Sequence, residues 1–584
     1  MRRYLILILV FLLGMLAGAS AFAQSDYAGK SLVIESFHAD VIVGKDGSID
    51  VTETIRPRFT GSWNGIFRMI PVQYYTQQGM NYSLLLDLIS ITDEAGNKLE
   101  YSRSRVGQYL KLKIRVPGAS DATRTVIINY RVENALRFFE EYDELYWNVT
   151  GDQWEMPIES ASAKISLPEG VANLRGNVFT GAYRSTEQAA GIEIGKDMVS
   201  FQTSRPLNYK EGLTIAVAWN PGVVQRPSVL KRIYFFLRGN WIFFAPLLAL
   251  VIMYRLWETR GRDPRLRPIA PQYEPPDKMT PAELGTLLDN SADMRDITAT
   301  IVDLAVRGYM LIEEVDNPLL GLISKKDYIF TMRKKREAWG DELQPHERKL
   351  LDELFSEGLR DKVAMTDLQN TFYSALPHIR DHIFDELLRR HYYLNRPDKV
   401  KQGYIGGGIA LAFIMGIGGV VVGSMLGMAP GSFIAAAILT GIIILAFGWF
   451  MPARTYVGSR ALEGVLGFED FLNRVEGDRI ERLDKTPQLF EKFLPYAMAL
   501  GVEKKWAAAF ANIYKEPPDW YHGGDFTRGF FVGNFVSNLN HMSTQTASAM
   551  ASAPRSSGGS GFGGGGGGGG FSGGGFGGGG GGGW

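Results

Sequence analysis

Apolar positions follow two different rhythms along this chain. From about residue 31 to 220 they recur at every second position. Leu110, Leu112, Ile114 and Val116 alternate with Lys111, Lys113 and Arg115. Val126, Ile128, Tyr130 and Val132 form a second such row, and Leu213, Ile215, Val217 and Trp219 a third. A period of two turns one apolar face inward and one polar face outward, as in half-buried strands. Asp46-Gly47, between Val41-Ile42-Val43 and Ile49-Val51, predicts a two-residue hairpin turn, and Ala95-Gly96-Asn97 breaks another pair. Short strands with such turns predict an antiparallel β-sandwich within residues 24–225.

The second rhythm is unbroken apolarity. Gly239 to Tyr254 holds no charged side chain and is closed by Arg238 and Arg255. Its sixteen residues would make roughly 24 Å of helix, short of a ~30 Å hydrocarbon core. The flanking arginines would therefore snorkel, with Trp241 and Tyr254 near the interfaces. Gly403–Met428 and Ser432–Met451 are two further uncharged runs, parted by Ala429-Pro430-Gly431 and each long enough to span. Gly406, Gly407, Gly408, Gly416, Gly418, Gly419 and Gly423 let their backbones approach closely. Transmembrane helices are expected at 239–255, 403–428 and 432–451. None is expected to bury a charge, Arg255 being terminal to the first, so an ion or proton path has no support.

Met1, Arg2 and Arg3, an apolar run from Leu5 to Leu16 and Ala21-Phe22-Ala23 read as a signal peptide over residues 1–23. Export of the sandwich follows from it. Arg255, Arg260, Arg262, Arg265 and Arg267 after the first run favour an inner face for what comes next. Arg389, Arg390, Lys399 and Lys401 precede the hairpin and Arg454 and Arg460 follow it, which keeps both its ends inside. The expected product is a multi-pass protein of the bacterial inner membrane, with an extracytoplasmic N-terminal domain and a cytoplasmic C-terminus.

Residues 256–402 are expected to form an α-rich cytoplasmic domain. Thr280-Pro281-Ala282-Glu283 opens a helix. Ile297, Ile301, Leu304 and Ala305 form one face of the next, which stops at Gly308. Tyr309–Ile312 and Tyr328–Met332 read as paired strands, so the outline is winged-helix-like. Residues 255–402 carry 24 basic and 26 acidic side chains, and without a basic footprint nucleic acid is an unfavoured partner. Residues 452–520 continue as amphipathic helix, with Phe468, Phe471, Leu472 and Val475 on one face and Phe490, Phe493, Leu494 and Ala497 on another. Residues 521–584 are expected to be a disordered glycine-rich tail. Its Phe562, Phe571, Phe576 and Trp584 are either stickers for a partner or a bilayer surface, or inert.

Composition removes several chemistries. Lys+Arg and Asp+Glu are equal at 62, so no global field selects an acidic or basic partner. With no cysteine there are no disulfides, thiol nucleophiles or thiolate metal sites. No P-loop, dinucleotide fingerprint or G-x-S-x-G elbow occurs. His378 and His382 stand four apart but lack the zincin Glu and a third ligand. No catalytic residue, metal or cofactor is therefore assigned.

Two stretches in the exported domain stand out. Gly65-Ile66-Phe67-Arg68-Met69-Ile70-Pro71 follows Trp63, with Tyr74-Tyr75 beyond it. Phe138 to Trp154 mixes aromatics with acids, and Glu140, Glu141, Asp143, Asp152, Trp147 and Trp154 are its candidate binding residues for a glycan or a cation. A sheet edge with an acidic turn and aromatics in the core is the preferred account, because no calcium-loop spacing is present. A hydrolase would need a pair of these acids about 5–10 Å apart in a cleft.

Several stretches together resemble the bacterial predicted membrane proteins that carry the domain of unknown function 2207. They are Gly65–Pro71, Tyr146–Asp152, Gly261-Arg262-Asp263-Pro264, Ile301–Tyr309, Met451-Pro452-Ala453-Arg454-Thr455, Leu494–Val502 and the glycine tail. The resemblance implies an exported N-terminal domain, a membrane anchor and a cytoplasmic portion, and supplies no activity or catalytic residue. A multi-domain α+β membrane protein is expected, an interaction module rather than an enzyme. Its exported domain would meet an envelope protein or a glycan while its spans meet the lipid bilayer. A membrane-anchored hydrolase and a transport-associated subunit are the alternatives.

Overall fold

The computed structural model describes residues 29–319, 323–474, 486–514, 516–523, 530–553, 572 and 574–584. The expected signal peptide and part of the tail lie outside the described residues. The chain divides into two compact units.

The first unit holds the strand-rich region, the hairpin tip at 415–436 and the described end of the tail. Its strands are β1 (Ser31–Val43), β2 (Ile49–Ser62), β3 (Gly65–Pro71), β4 (Leu85–Thr92), β5 (Tyr101–Val106), β6 (Tyr109–Arg115) and β7 (Val126–Glu133). They continue with β8 (Asp143–Asn148), β9 (Ile158–Ser166), β10 (Arg175–Ala182), β11 (Ala190–Ile194), β12 (Met198–Thr203) and β13 (Glu211–Trp219). The large sheet runs β11-β12-β9-β1-β2-β7-β4, with Ser120–Thr123 added beside β2. A second sheet places β8 and β10 on either side of β13, and a third runs β3-β6-β5. The alternating rows fall where the period predicts, since Val126, Ile128, Tyr130 and Val132 are buried, as are Leu213, Ile215, Val217 and Trp219.

Two details correct the sequence reading. β1 and β9 pair in parallel, Ile34 opposite Ile158, so the sandwich is not purely antiparallel. The β1–β2 hairpin closes through Gly44–Ser48 rather than two residues, with Val43 opposite Ile49. Asp46 shapes that loop by accepting from the Ser48 amide at 3.1 Å and the Ser48 hydroxyl at 2.6 Å. Gly47 takes the left-handed conformation the turn requires, φ +81°.

Helix α1 (Val229–Gly239) follows β13 and leads into α2 (Phe244–Leu256). Within this unit Asn81 ties the β domain to the ends of apolar helices. Its amide donates to Asn240 Oδ1 at 3.0 Å, and Asn240 Nδ2 returns a bond to the Asn81 carbonyl at 2.9 Å. The Asn81 side chain also accepts from the Ala429 amide at 2.7 Å and donates to Ser432 Oγ at 3.2 Å.

The second unit contains α3 (Pro281–Asp289), α4 (Met294–Val306), β14 (Met310–Leu319), β15 (Ile323–Met332), α5 (Pro345–Leu354) and α6 (Leu376–Arg389). The apolar hairpin is α7 (Pro397–Leu426) and α8 (Pro430–Trp449). Then come α9 (Tyr456–Asn473), α10 (Pro487–Leu500), α11 (Glu503–Ala508) and α12 (Val532–Ala551). Thr280 caps α3 reciprocally with Glu283, as its sequence predicts. β14 and β15 form the expected hairpin, widened to four strands by Lys362–Ala364 and Tyr521–His522. The helical regions before and after the apolar hairpin, whose packing the sequence leaves open, share one core, in which Ile301, Leu351 and Ile383 join Phe468, Phe493 and Leu539. α12, ordered and contributing Phe535, Leu539 and Met542 to that core, departs from the disorder expected after residue 520. Its apolar spacing is helical, and a glycine count dominated by the last thirty residues hid it.

Arg454 locks two of the motif stretches together. It forms an ion pair with Asp263 at 2.6 Å and donates to the Leu287 carbonyl at 2.7 Å and the Leu288 carbonyl at 3.0 Å. Trp241–Gly261, α7 and α8 are long and apolar enough to cross a membrane. Their glycines serve close approach: a Cβ on Gly408 would press on Ile444, and one on Gly441 on Ala412.

Fully buried Glu283 faces Arg390 at 3.4 Å, and one of its carboxylate oxygens has no hydrogen-bond partner. Burial raises its pKa from 4.5 to about 7, although Arg390 opposes the shift. The folded chain therefore binds a proton that the unfolded chain has released between those two values. Stability contributed by that proton is present below about pH 4.5 and is lost as pH rises through 7. Glu283→Gln keeps a capping oxygen and should remove most of this slope. Urea unfolding of wild type and variant at pH 5 and pH 8 checks it, with an expected gain of about 1–3 kcal/mol for the variant at the higher pH.

Candidate functional site

The two stretches singled out in the sequence line one cleft of the β domain, and the end of the chain fills it. β16 (Phe576–Gly577) pairs in parallel with β8, Phe576 opposite Trp147. β17 (Gly580–Gly583) pairs antiparallel with β3, Gly581 opposite Arg68 and Gly583 opposite Ile66. On the strand's other edge the Gln153 amide donates to the Gly579 carbonyl at 2.8 Å, and the Glu155 amide to the Gly581 carbonyl at 3.1 Å. Main-chain bonding on both edges makes this an inserted strand rather than a loose contact.

Only glycine fits the middle of the seat. Gly575–Gly582 are buried. A Cβ on Gly582 would stand 2.6 Å from the Phe67 ring, and one on Gly581 would meet both the Phe67 carbonyl and the Trp154 ring. Gly577, Gly578 and Gly579 have φ of +74°, +86° and +83°, a turn that L side chains rarely adopt. Aromatic residues anchor the two ends. Phe576 stacks on Tyr82, centroids 4.9 Å apart, and meets Tyr74 edge-on at 5.1 Å, with Arg137 over its ring at 5.2 Å. Trp584 lies under the Lys113 ammonium at 3.6 Å, and its carbonyl accepts from the Asn64 amide at 2.8 Å.

The floor is a buried ion pair. Arg68, fully enclosed, donates from Nε and Nη2 to the two oxygens of Glu53, each at 2.8 Å. Tyr130 donates to the same carboxylate at 2.8 Å. The guanidinium also lies against the rings of Phe37 and Trp154, at 5.6 and 5.5 Å. Its remaining nitrogen, Nη1, donates to the carbonyls of Met69 at 3.2 Å and Gly580 at 3.3 Å. Burial works against the charge on Arg68, but the adjoining Glu53 outweighs it and its pKa is raised. Burial, reinforced by Glu53, also raises the Tyr130 hydroxyl well above its usual value, and burial pushes Tyr82 up to about 12. Both phenols therefore remain neutral hydrogen-bonding groups.

The candidate binding residues separate into two sets. Trp147 and Trp154 wall the cleft, the first against Gly577 and the second against Gly581. Glu140 and Glu141 are exposed on the turn before β8. Asp143 is buried and accepts from Arg226 at 3.1 Å. Asp152 lies beyond the far end of β8, where burial raises its pKa. Asp143 lies opposite Trp219 at one end of β13, whereas just before the other end the Lys210 amide donates to the Trp154 carbonyl at 3.2 Å, so Asp143 and Asp152 do not form an acid pair. Among the described residues, no cluster of three or more His, Asp or Glu is placed to hold a metal ion.

Residues that sequence reasoning missed are Glu53, Tyr130 and the tail glycines. Glu53 carried a legible signal, because it falls on the inward phase of β2 between Val51 and Ile55.

The fold and cleft define an α+β protein with a strand-filled β domain and three helices long and apolar enough to cross a membrane. The chain belongs to the family described as "Predicted membrane protein (DUF2207)", whose N-terminal domain model matches residues 33–219 and whose C-terminal domain model matches residues 269–510. It is 25% identical over 385 residues to "Uncharacterized protein YciQ" of Escherichia coli (strain K12), a match covering 62% of this chain and 58% of that protein. Among solved structures, native leukotriene A4 hydrolase from Saccharomyces cerevisiae aligns with a TM-score of 0.23 at 12% identity, over 33% of this chain and 30% of that one. The M1 zinc metallopeptidase from Deinococcus radiodurans aligns with a TM-score of 0.20 at 8% identity, over 32% and 42%. Likenesses this slight bear on neither fold nor activity.

Removing one partner of the enclosed pair should be costly. Glu53→Gln is expected to lower stability by about 3–5 kcal/mol, because it leaves the guanidinium buried beside a neutral amide. The double variant Glu53→Leu, Arg68→Met should lose less than the sum of its single changes. Denaturant unfolding of the full chain in mild detergent, followed by tryptophan fluorescence, measures both.

Proposed function

We propose that this is a non-enzymatic, multi-pass protein of the bacterial inner membrane whose extracytoplasmic β domain accepts a glycine-rich, aromatic-ended strand. The observation that carries the reading is the seat of Gly579–Gly583, bonded along both edges and too narrow for a Cβ. Strand addition draws its affinity from main-chain bonds and its selectivity from side-chain seats. Here the selecting groups are the Tyr74–Tyr82 seat for Phe576 and the Lys113 seat for Trp584. A strand rather than a glycan suits such a cleft, so the expected partner class narrows to protein. The charged leader and the arginines from 255 to 267 support an outer β domain and an inner helical unit. We read the helix pair and hairpin over Pro281–Met332 as a winged-helix-like module that packs on protein.

Three crossings between the β domain and the tail would leave them on opposite faces of a bilayer. The strand in the cleft would then come from another protein on the β domain's face, whereas an even number of crossings lets the chain seat its own tail. The cysteine-free chain separates these cases. Ser572, buried and donating to the Gly181 carbonyl at 3.1 Å, is replaced by Cys as the sole thiol. In detergent the full chain should react slowly with a maleimide, and adding Gly581→Val should speed the reaction by at least about tenfold. Fast reaction without Gly581→Val sinks the strand-acceptor reading. In spheroplasts, a membrane-impermeant maleimide that labels the double variant places the tail on the outer face. Labelling only after lysis places the tail inside and assigns the cleft to a strand supplied in trans.

A further inference from the structure

Below the apolar hairpin, the second unit contains a cavity of about 810 Å³ among the chain leaving α2, the start of α7 and the segment after α8. Arg260, Arg262, Lys399, Tyr404, Leu394 and Met451 are among its lining residues, and among the described residues no Asp or Glu lines it. Arg454 also reaches it but is committed to Asp263 and to two backbone carbonyls. Arg260, Arg262 and Lys399 are exposed and make no ion pair or hydrogen bond among the described residues. Nearby acids are engaged elsewhere: Asp398 accepts from Arg396 at 2.9 Å, and Glu258 stands 3.9 Å from Arg255. Among the described residues, three cations are thus gathered around one cavity without a counter-charge.

Their setting narrows what would neutralise them. Met253, Ile444 and Met451 pack the three apolar helices together at this end. Tyr254, Trp449 and Phe450 are exposed around it, and Leu394 is 84% exposed. Amphipathic rings at the end of a span belong at headgroup depth. A ligand there meets cations on its polar side and bare helix on its apolar side. We infer that the cavity is a site for an anionic phospholipid, its phosphate held by Arg260, Arg262 and Lys399 and its acyl chains laid along the uncovered helices. Arginine supplies paired donors to a phosphate and lysine a point charge.

Native mass spectrometry of the full chain in detergent tests this with phosphatidylglycerol and phosphatidylcholine of identical acyl chains. The expected result is retention of phosphatidylglycerol about tenfold or more above phosphatidylcholine. The triple variant Arg260→Gln, Arg262→Gln, Lys399→Gln should abolish that preference, while Arg265→Gln, which removes an exposed cation outside the cavity, should keep it. Lys399→Glu alone should shift it the same way as the triple variant, and both variants should keep the wild-type melting temperature. Equal retention of the two lipids, or undiminished phosphatidylglycerol in the triple variant, overturns the assignment. So does displacement of the lipid by excess inorganic phosphate, which would make the site one for free phosphate.

Discussion

A single guanidinium governs the β domain. Arg68 lies under the cleft with no access to water, and an enclosed cation is tolerable only when its donors are all met. Glu53 meets two of its nitrogens, and the third turns toward main-chain carbonyls, one of them on the inserted strand. Tyr130 occupies part of the remaining capacity of Glu53 and thereby fixes the carboxylate's orientation. The large sheet and the cleft are therefore coupled: β2 and β7 carry the acid and the phenol, and β3 carries the cation and the edge to which the strand is added.

The helical unit answers a related problem in another way. It buries acids in numbers, Asp303 and Glu347 around Arg307 at 2.9 and 2.7 Å, and Glu283 and Glu386 around Arg390 at 3.4 and 2.8 Å. Each cation is shared between two carboxylates, so acids outnumber cations there, and burial raises the pKa of Asp303, Glu347 and Glu283. Arg454 shows the same economy with carbonyls, gathering a helix end and the linker of the first apolar run onto one side chain. Segments far apart in sequence are thereby joined into a single core.

The sequence made the apolar helices legible because length and absence of charge suffice to define them. It made the inward rows of β7 and β13 legible because the period of two is independent of the partner strand. The parallel pairing of β1 with β9 was not legible, since the two strands are more than a hundred residues apart and no local signal encodes who lies beside whom. The cleft was half legible. Trp147, Trp154 and the Gly65–Pro71 stretch stood out as types, but their common purpose depends on a strand without side chains. Glycine leaves no periodicity to read, and its composition alone argues for disorder. Shape complementarity in the folded domain, which composition cannot express, is what gives Gly579–Gly583 a place.

One consequence of that strand concerns length. A run of identical glycines carries no information about its own alignment, because sliding it by one residue changes no contact within the run. Alignment is set only where the sequence stops being uniform, at Phe576 and Trp584, and each of those rings has a single berth. The eight-residue step between them works as a ruler cut to the distance between the berths. Adding or removing one glycine would leave the composition almost untouched and yet strand one ring or the other outside its berth.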